Sequence, residues 1–331
     1  MPDNPIARRS ITILTVLTLF VVVTTLSPLL LAAAGLVDLS LRQRAGRSGL
    51  ALRGLAFLWV YLLGELWALV ALLVTAFLPR RAKIAATLRL QSSWARWNLT
   101  ALLRLFSIDL DVEGAECVSP GPALVLSRHA SIIDTLIPAR IVAGLGGLKL
   151  RYVLKKELLA DPALDIAGNR LPNAFIDRQS HEAAERQTIR DLAVDLGRDD
   201  AILIYPEGTR FSEEKLQRHR RRMKAELGQV EAATARLRMV LPPRPGGTLA
   251  LLDATDADVV VLAHHGLEGL GTLREIWAGD PVGSRIAVRL WRVPRSEIPN
   301  SRSERVAWLT DLWTEVDEWV ISAARARSSL D

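Results

Sequence analysis

The chain has 331 residues, of which 50% are hydrophobic and 24% charged, and it carries a net charge of +6. That length allows one large domain with an appendage, or two modest domains, and a mean hydropathy of +0.19 excludes a disordered chain. The single cysteine, Cys117, excludes an intrachain disulfide and a multi-cysteine zinc site, while a positive excess made mostly of Arg suits an anionic partner: lipid phosphate, nucleic acid or an acidic carrier.

Ile11 to Val37 contains no charged residue and at about 1.5 Å per residue is long enough to cross a bilayer with some tilt. Arg8 and Arg9 precede it and Ala32-Ala33-Ala34 resembles a cleavage site, but the run far exceeds the roughly 7–15 apolar residues of a signal-peptide core. An uncleaved anchor is the better reading. A second apolar run, Gly54 to Pro79, is interrupted only by Glu65. A carboxylate at mid-bilayer depth is costly, so Glu65 is expected on a packing face, bonded to hydroxyls such as Thr15 or Thr18. Two crossings place the N-terminus and the large C-terminal part on one side. Arg8, Arg9, Arg80, Arg81, Lys83 and Arg89 lie on that side, against Arg42, Arg44, Arg47 and Arg53 in the connecting loop, a bias toward the cytoplasm. Next, Ile84 to Phe106 interleaves Trp94 and Trp97 with Arg89, Arg96 and Arg104, the pattern of an interfacial helix or of a helix capping a domain.

From Ile108 onward short apolar strands alternate with helical stretches. The expected strands are Ile108–Val112, Ala123–Ser127, Arg151–Leu154, Ala174–Ile176, Ala201–Tyr205, Asp258–Ala263 and Arg285–Leu290; the expected helices include Glu182–Leu196 and the basic Gln217–Met239. This alternation predicts an α/β fold, a mixed sheet covered by helices, behind an N-terminal two-helix hydrophobic membrane anchor. The expected division is residues 1–80 as the anchoring hairpin, 81–107 as the amphipathic interfacial helix and 108–331 as the α/β domain. Ser301-Arg302-Ser303-Glu304 is a capping-box signature, opening a helix with Val306, Leu309, Trp313, Val316 and Val320 on one stripe.

Three constellations carry chemistry. The strand Ala123–Ser127 delivers Arg128 and His129 to its carboxyl end, five residues before Asp134. Residues five apart on one helix diverge by about 140°. With His129 in the loop before the helix, however, Asp134 can reach the imidazole and orient it as a general base. The spacing alone is weak, at about 0.3 chance occurrences for this composition. The strand Ala201–Tyr205 runs into Pro206-Glu207-Gly208-Thr209-Arg210, a turn placed where α/β folds bind ligands. Glu-Gly-Thr-Arg has about 0.006 chance copies, so this signal is specific. Third, Phe175-Ile176-Asp177-Arg178 ends another strand in an Arg and follows Lys155-Lys156-Glu157-Leu158; Arg offers a fork that matches phosphate and Lys a mobile point charge.

Together these pieces resemble the glycerolipid acyltransferase family, in particular the lysophosphatidic acid acyltransferases. Four blocks occur in the family's order: His129–Asp134, Gly168 to Arg178, Glu207–Arg210, and Leu241-Pro242-Pro243-Arg244-Pro245-Gly246-Gly247. Glu207 to Lys215, with Pro-Arg in the fourth block, is similar to the branch that includes lysocardiolipin acyltransferases. The resemblance covers about residues 85–320, and it departs at Asp165, since the family often has Gly soon after the proline matched by Pro162. It implies a transfer of a fatty acyl chain from acyl-CoA or acyl carrier protein to the free hydroxyl of lysophosphatidic acid, giving phosphatidic acid in phospholipid biosynthesis. His129 would be the general base and Asp134 its orienting partner. Lys155, Arg178 and Arg210 would hold the acceptor phosphate, and Glu207, Gly208 and Thr209 would shape its site.

Neither cofactor nor metal is implied, the thioester being a co-substrate. The implied partners are membrane lipids and the acyl donor, without nucleic acid, and the implied location is the cell inner membrane or another membrane with the catalytic domain facing the cytoplasm. Two other readings stay open: an acyltransferase for another lysolipid or lipid acceptor, and a membrane-tethered binder of anionic surfaces or nucleic acid built on Arg218, Arg220, Arg221, Arg222 and Lys224. The absence of aromatics among those cations speaks against nucleic acid.

Overall fold

The computed structural model describes residues 2, 4–45, 49–177, 182–227, 235–268, 270, 273–279 and 281–328. All seven expected strands form: β1 (Asp109–Glu113), β2 (Ala123–Ser127), β3 (Lys149–Lys155), β4 (Ala174–Ile176), β5 (Asp200–Ile204), β6 (Asp258–His265) and β7 (Arg285–Val293). They make one mixed sheet in the order β1-β7-β6-β2-β5-β3-β4. β2 lies parallel to both β5 and β6, β3 parallel to β5, and β7 antiparallel to β6. Ala123 to Ser127 are fully buried, as a central strand covered on both faces requires, and this is why its sequence is an unbroken apolar run.

The chain divides into two compact units. The first comprises residues 1–109, 154–175 and 277–284 and is mostly helical: α1 (Pro5–Thr25), α2 (Ser27–Ala45), α3 (Leu50–Ala76), α4 (Arg80–Phe106) and α5 (Pro162–Arg170). Asn4 caps α1, its side chain accepting from the Ile6 amide at 2.9 Å. The apolar run 11–37, read as one span, is two helices that meet at Leu26, where Pro28 has no amide hydrogen to continue the ladder. Gly49 cannot cap α3 through a side chain. Buried Asp38 does so from α2, accepting from the Ala51 and Leu52 amides at 2.7 and 3.0 Å. Trp59 on α3 donates to the Thr24 hydroxyl at 3.1 Å and stacks on Phe20, pairing α3 with α1.

Among the described residues two helices, α1 and α3, are long and apolar enough to cross a membrane. Each is lined with exposed apolar side chains, including Ile11, Leu14 and Val21 on α1 and Val70, Leu73 and Val74 on α3. The opposite side of α3 is covered: Ala68 and Leu72 pack with Leu90 of α4 and Ala163 and Ala167 of α5. Glu65 is fully buried, and among the described residues neither of its carboxyl oxygens has a hydrogen-bond partner. The Thr15 hydroxyl, an expected partner, bonds the Ile11 carbonyl at 2.8 Å instead, the local i−4 acceptor that a helical Thr reaches without any tertiary contact. Arg53, assigned to the loop in the charge count, sits on α3 and donates to the Leu105 carbonyl and Ser107 hydroxyl. Arg47 lies outside the described residues.

The second unit, residues 110–153, 176–276 and 285–331, contains most of the sheet, the helices α6 (Glu182–Asp191), α7 (Glu213–Leu227), α8 (Pro245–Leu252) and α10 (Arg302–Ser328), and the first four residues of α9 (Leu273–Gly279). α6 ends five residues earlier than its apolar pattern implied. Buried Arg151 of β3 draws the chain into turns there, donating to the carbonyls of Leu192, Val194 and Asp195. α7 begins at Glu213, not Gln217, and residues 228–234 of the expected basic helix lie outside the described residues. The capping box of α10 is present: Glu304 N donates to Ser301 Oγ at 3.3 Å and Ser301 Oγ to Glu304 Oε2 at 2.6 Å. Leu309, Trp313, Val316 and Val320 of its stripe are buried, whereas Val306 in the first turn is exposed.

Candidate active site

The site is assembled from the carboxyl end of β2 and the turn after β5. Arg128 is fully buried and fastens the end of β2: its guanidinium donates to the carbonyls of His264 (2.7 Å) and Met239 (2.6 Å) and to Glu268. The next residue, His129, leaves the strand. Its Nδ1 lies 3.0 and 3.2 Å from the two oxygens of Asp134, so the expected contact forms across a loop and a short turn of helix, Ile133–Thr135. Asp134 is fully buried and also accepts from the Ala130 and Ser131 amides at 2.6 and 2.7 Å. Burial alone would raise its carboxyl; hydrogen bonds and charge from His129 and His264 more than reverse this and hold it well below the usual carboxylate range. A carboxylate that stays ionised beside Nδ1 fixes the tautomer with the proton on Nδ1, which leaves the Nε2 lone pair as the basic site.

Glu207 enters through the backbone. Its Oε1 accepts the His129 amide and its Oε2 the Leu241 amide, both at 2.9 Å, so one carboxyl ties the third sequence block to the first and the fourth. Burial pushes this group up to about 8, against the lowering influence of Arg128 and of the two amides. The His129 carbonyl accepts from the Phe211 amide at 2.6 Å, so the turn after β5 holds both backbone polar groups of His129. Gly208 adopts φ +67 with Arg244 over it, and a Cβ there would lie 3.1 Å from Arg244 Cδ. Left-handed backbone under a neighbouring side chain is a position for Gly. Thr209 Oγ1 and the Arg210 carbonyl both accept from Lys215 Nζ, at 3.2 and 2.6 Å, and Arg210 is half-buried. Lys155 closes β3 and is half-buried. Arg178 lies outside the described residues.

Three neighbours have no signal in the local sequence. His264, in β6, is fully buried; its Nε2 donates to the Arg128 carbonyl at 3.0 Å and lies 3.6 Å from Asp134 Oδ2, making a second imidazole on the same carboxylate. The Tyr205 ring packs 4.5 Å from that of His129. Asp317 of α10 accepts from the amides of Arg238, Met239 and Val240, positioning the chain just before Leu241. Only packing reveals which carboxylate His264 faces.

The family profile described as "Acyltransferase" matches residues 109–243, which include His129, Asp134 and Glu207. A protein from Pseudomonas aeruginosa strain PAO1, "1-acyl-sn-glycerol-3-phosphate acyltransferase", is 28% identical over 145 residues, 44% of this chain; the chain spans about half that relative's length, 53%. The crystal structure of a "1-acyl-sn-glycerophosphate (LPA) acyltransferase, PlsC" from Thermotoga maritima shares the fold with a TM-score of 0.57 at 16% identity, over 81% of this chain and 95% of that one. With a shared fold, a matching domain over residues 109–243, and Glu207 tying three of the four sequence blocks to one another at His129, the chain is similar to the glycerolipid acyltransferases.

Proposed function

We propose that the protein transfers a fatty acyl chain from acyl-CoA or acyl carrier protein to the free hydroxyl of lysophosphatidic acid, forming phosphatidic acid. The observation that carries this reading is His129, held by its backbone at the end of the central strand and oriented through Nδ1 by an ionised, buried Asp134. In the proposed step the acceptor hydroxyl gives its proton to Nε2 while its oxygen attacks the thioester carbonyl. Collapse of the tetrahedral species breaks the C–S bond, and the departing thiolate takes the proton back from the imidazolium. Asp134 stabilises the transient imidazolium and is not itself protonated. No covalent acyl-enzyme is needed.

Lys155, Arg178 and Arg210 are assigned to the acceptor phosphate, with Glu207, Gly208 and Thr209 shaping the turn that carries Arg210. Residues 1–80 are assigned to membrane attachment, 81–107 to the interface and 108–331 to the catalytic domain, at the cell inner membrane or another membrane with the catalytic domain facing the cytoplasm. The exposed apolar sides of α1 and α3 support attachment, because both acceptor and product reside in lipid. The name of the Pseudomonas relative supports the choice of acceptor.

The test incubates purified full-length protein with labelled lysophosphatidic acid and, in parallel, acyl-CoA or acyl carrier protein. Phosphatidic acid is the expected product. Product formed only from another lysolipid would move the assignment to that acceptor, and no acyl transfer from either donor would overturn it.

A further inference from the structure

The peptide group that joins Arg128 to His129 is held at both ends. Its N–H, the His129 amide, donates to Glu207 Oε1 at 2.9 Å. Its oxygen, the Arg128 carbonyl, accepts from His264 Nε2 at 3.0 Å and from the Ser127 hydroxyl at 3.2 Å. A carbonyl only accepts, so His264 carries its proton on Nε2. His264 Nδ1 is buried and has no hydrogen-bond partner among the described residues. Arg128 returns the contact, its guanidinium donating to the His264 carbonyl at 2.7 Å. Both side chains are fully buried. β2 and β6 are parallel neighbours whose last matched residues are Ser127 and Leu262, and this reciprocal pair carries the hold of the sheet past them, up to the catalytic histidine.

The same N–H faces a second acceptor. Asp134 Oδ2 lies 3.6 Å from His264 Nε2. That is too long for a full hydrogen bond, yet close enough for the imidazole to close the side of the carboxylate that faces β6. The shorter contacts of Asp134, to the Ala130 and Ser131 amides and to His129 Nδ1, come from its own turn. One side chain therefore meets both the peptide from which the His129 side chain hangs and the carboxylate against which it leans. His264 lies beyond residues 109–243, the stretch matched by the family profile, and outside all four sequence blocks.

We propose that His264 is a positioning residue for acyl transfer. Through one shared N–H it fixes the 128–129 peptide and Asp134 together, and so sets where His129 Nε2 meets the acceptor hydroxyl. This role rests on His129 acting as the base. A displacement of about 1 Å at a reacting group is enough to cost about 10²-fold in rate.

The test measures kcat and the KM of each substrate on full-length protein in non-ionic detergent, beside a melting curve. His264→Asn, whose amide reaches only as far as Nδ1, is expected to lower kcat by about 10–100-fold with each KM changed less than about twofold. His264→Gln, whose amide nitrogen takes the place of Nε2, is expected to be about tenfold more active than His264→Asn. Added to His129→Ala, His264→Asn is expected to lower the residual turnover no further, because it acts through that histidine. A raised KM with unchanged kcat, or equal losses in folded Asn and Gln variants, would overturn the positioning role. If His264→Asn fails to fold, His264→Gln decides: a folded protein with kcat as low as that of His129→Ala would overturn it. Wild-type protein labelled with 15N-histidine supplies a spectroscopic check among five residues. The signal that vanishes in His264→Gln is expected from the Nε2–H tautomer, and an Nδ1–H tautomer there would remove the shared donor. Unchanged kcat in His264→Asn beside a dead His129→Ala would sink this inference alone, whereas wild-type turnover in His129→Ala would sink the reading beneath it.

Discussion

Asp134 in the sheet unit and Asp165 in the helical unit are both fully buried carboxylates, and they are stabilised in opposite ways. Asp134 takes its hydrogen bonds of 3.2 Å or less from its own turn, the amides of Ala130 and Ser131 and the imidazole of His129, with distant His264 adding a second imidazole at 3.6 Å. Asp165 takes its charge partners from helix α1, 156 and 157 residues earlier in the chain. A carboxylate whose hydrogen bonds are assembled mostly within one turn is largely preformed when that turn forms, which suits the proposed task of holding a base in register. A carboxylate assembled across such a distance forms only when the helices dock. It reports on the integrity of the helical unit.

The largest effects should separate these two designs by activity. His129→Ala is expected to lower kcat by about 10²–10⁴ with Tm little changed. Asp134→Asn is expected to fall in the same range, because an amide cannot accept from Nδ1–H and the backbone amides at once. Steady-state kinetics beside a melting curve checks both; wild-type-like kcat in folded His129→Ala would break the comparison at its catalytic end. Asp165→Ala should behave inversely. Removing one partner of a buried ion pair costs about 3–5 kcal/mol, so a lowered denaturation midpoint is expected, and Arg8→Met added to Asp165→Ala should recover part of it.

Glu207 lies between these extremes, since it ties distant blocks through backbone amides alone. Glu207→Ala strands the His129 and Leu241 amides, each costing about 1–3 kcal/mol when buried and unsatisfied, and a denaturation curve reads the sum. The same residue supplies a pH signature. Its folded value is raised to about 8, above an unfolded value near 4.3. Its contribution is therefore complete below that unfolded value and is lost as the pH climbs to and through about 8. The Tm of the wild type should decline over that window, and the decline should be shallower in Glu207→Gln. The smallest effect belongs to a purely local device: Ser301→Ala should cost about 0.5–2 kcal/mol through the lost cap of α10, with kcat unchanged.

The same division between local and distant partners governed what could be read in the amino-acid sequence. All seven strands and the capping box of α10 carry their cause within a few residues, as alternation, an apolar run or a Ser-x-x-Glu spacing, and each formed. The His129–Asp134 contact and the turn at Glu207–Arg210 were legible for the same reason. His264 on Asp134, Arg244 over Gly208 and Arg8 on Asp165 were not. Each joins residues 36 or more apart in sequence, and no periodicity marks which buried charge will find which. Even Asp165, visible as an odd residue in an otherwise familiar block, gave no hint that its partners lie at the other end of the chain. α6 ended early on the same account, because Arg151 recruits the carbonyls beyond it.

The packing of α3 against α4 and α5 bears on how this protein can be produced. Cutting away the apolar hairpin is the usual way to obtain a water-soluble fragment of a membrane-attached enzyme. Here that cut would strip Ala68 and Leu72 from Leu90, Ala163 and Ala167, remove the Tyr61 hydroxyl from Asp161 (2.8 Å), and leave Asp165 without either arginine. The fragment would expose a fresh apolar seam and an unpaired anion where the parent chain has a packed core. Solubilising substitutions belong on the outward side of α1 and α3, at positions such as Leu14, Val70 and Leu73, where a polar side chain meets no neighbour that depends on it.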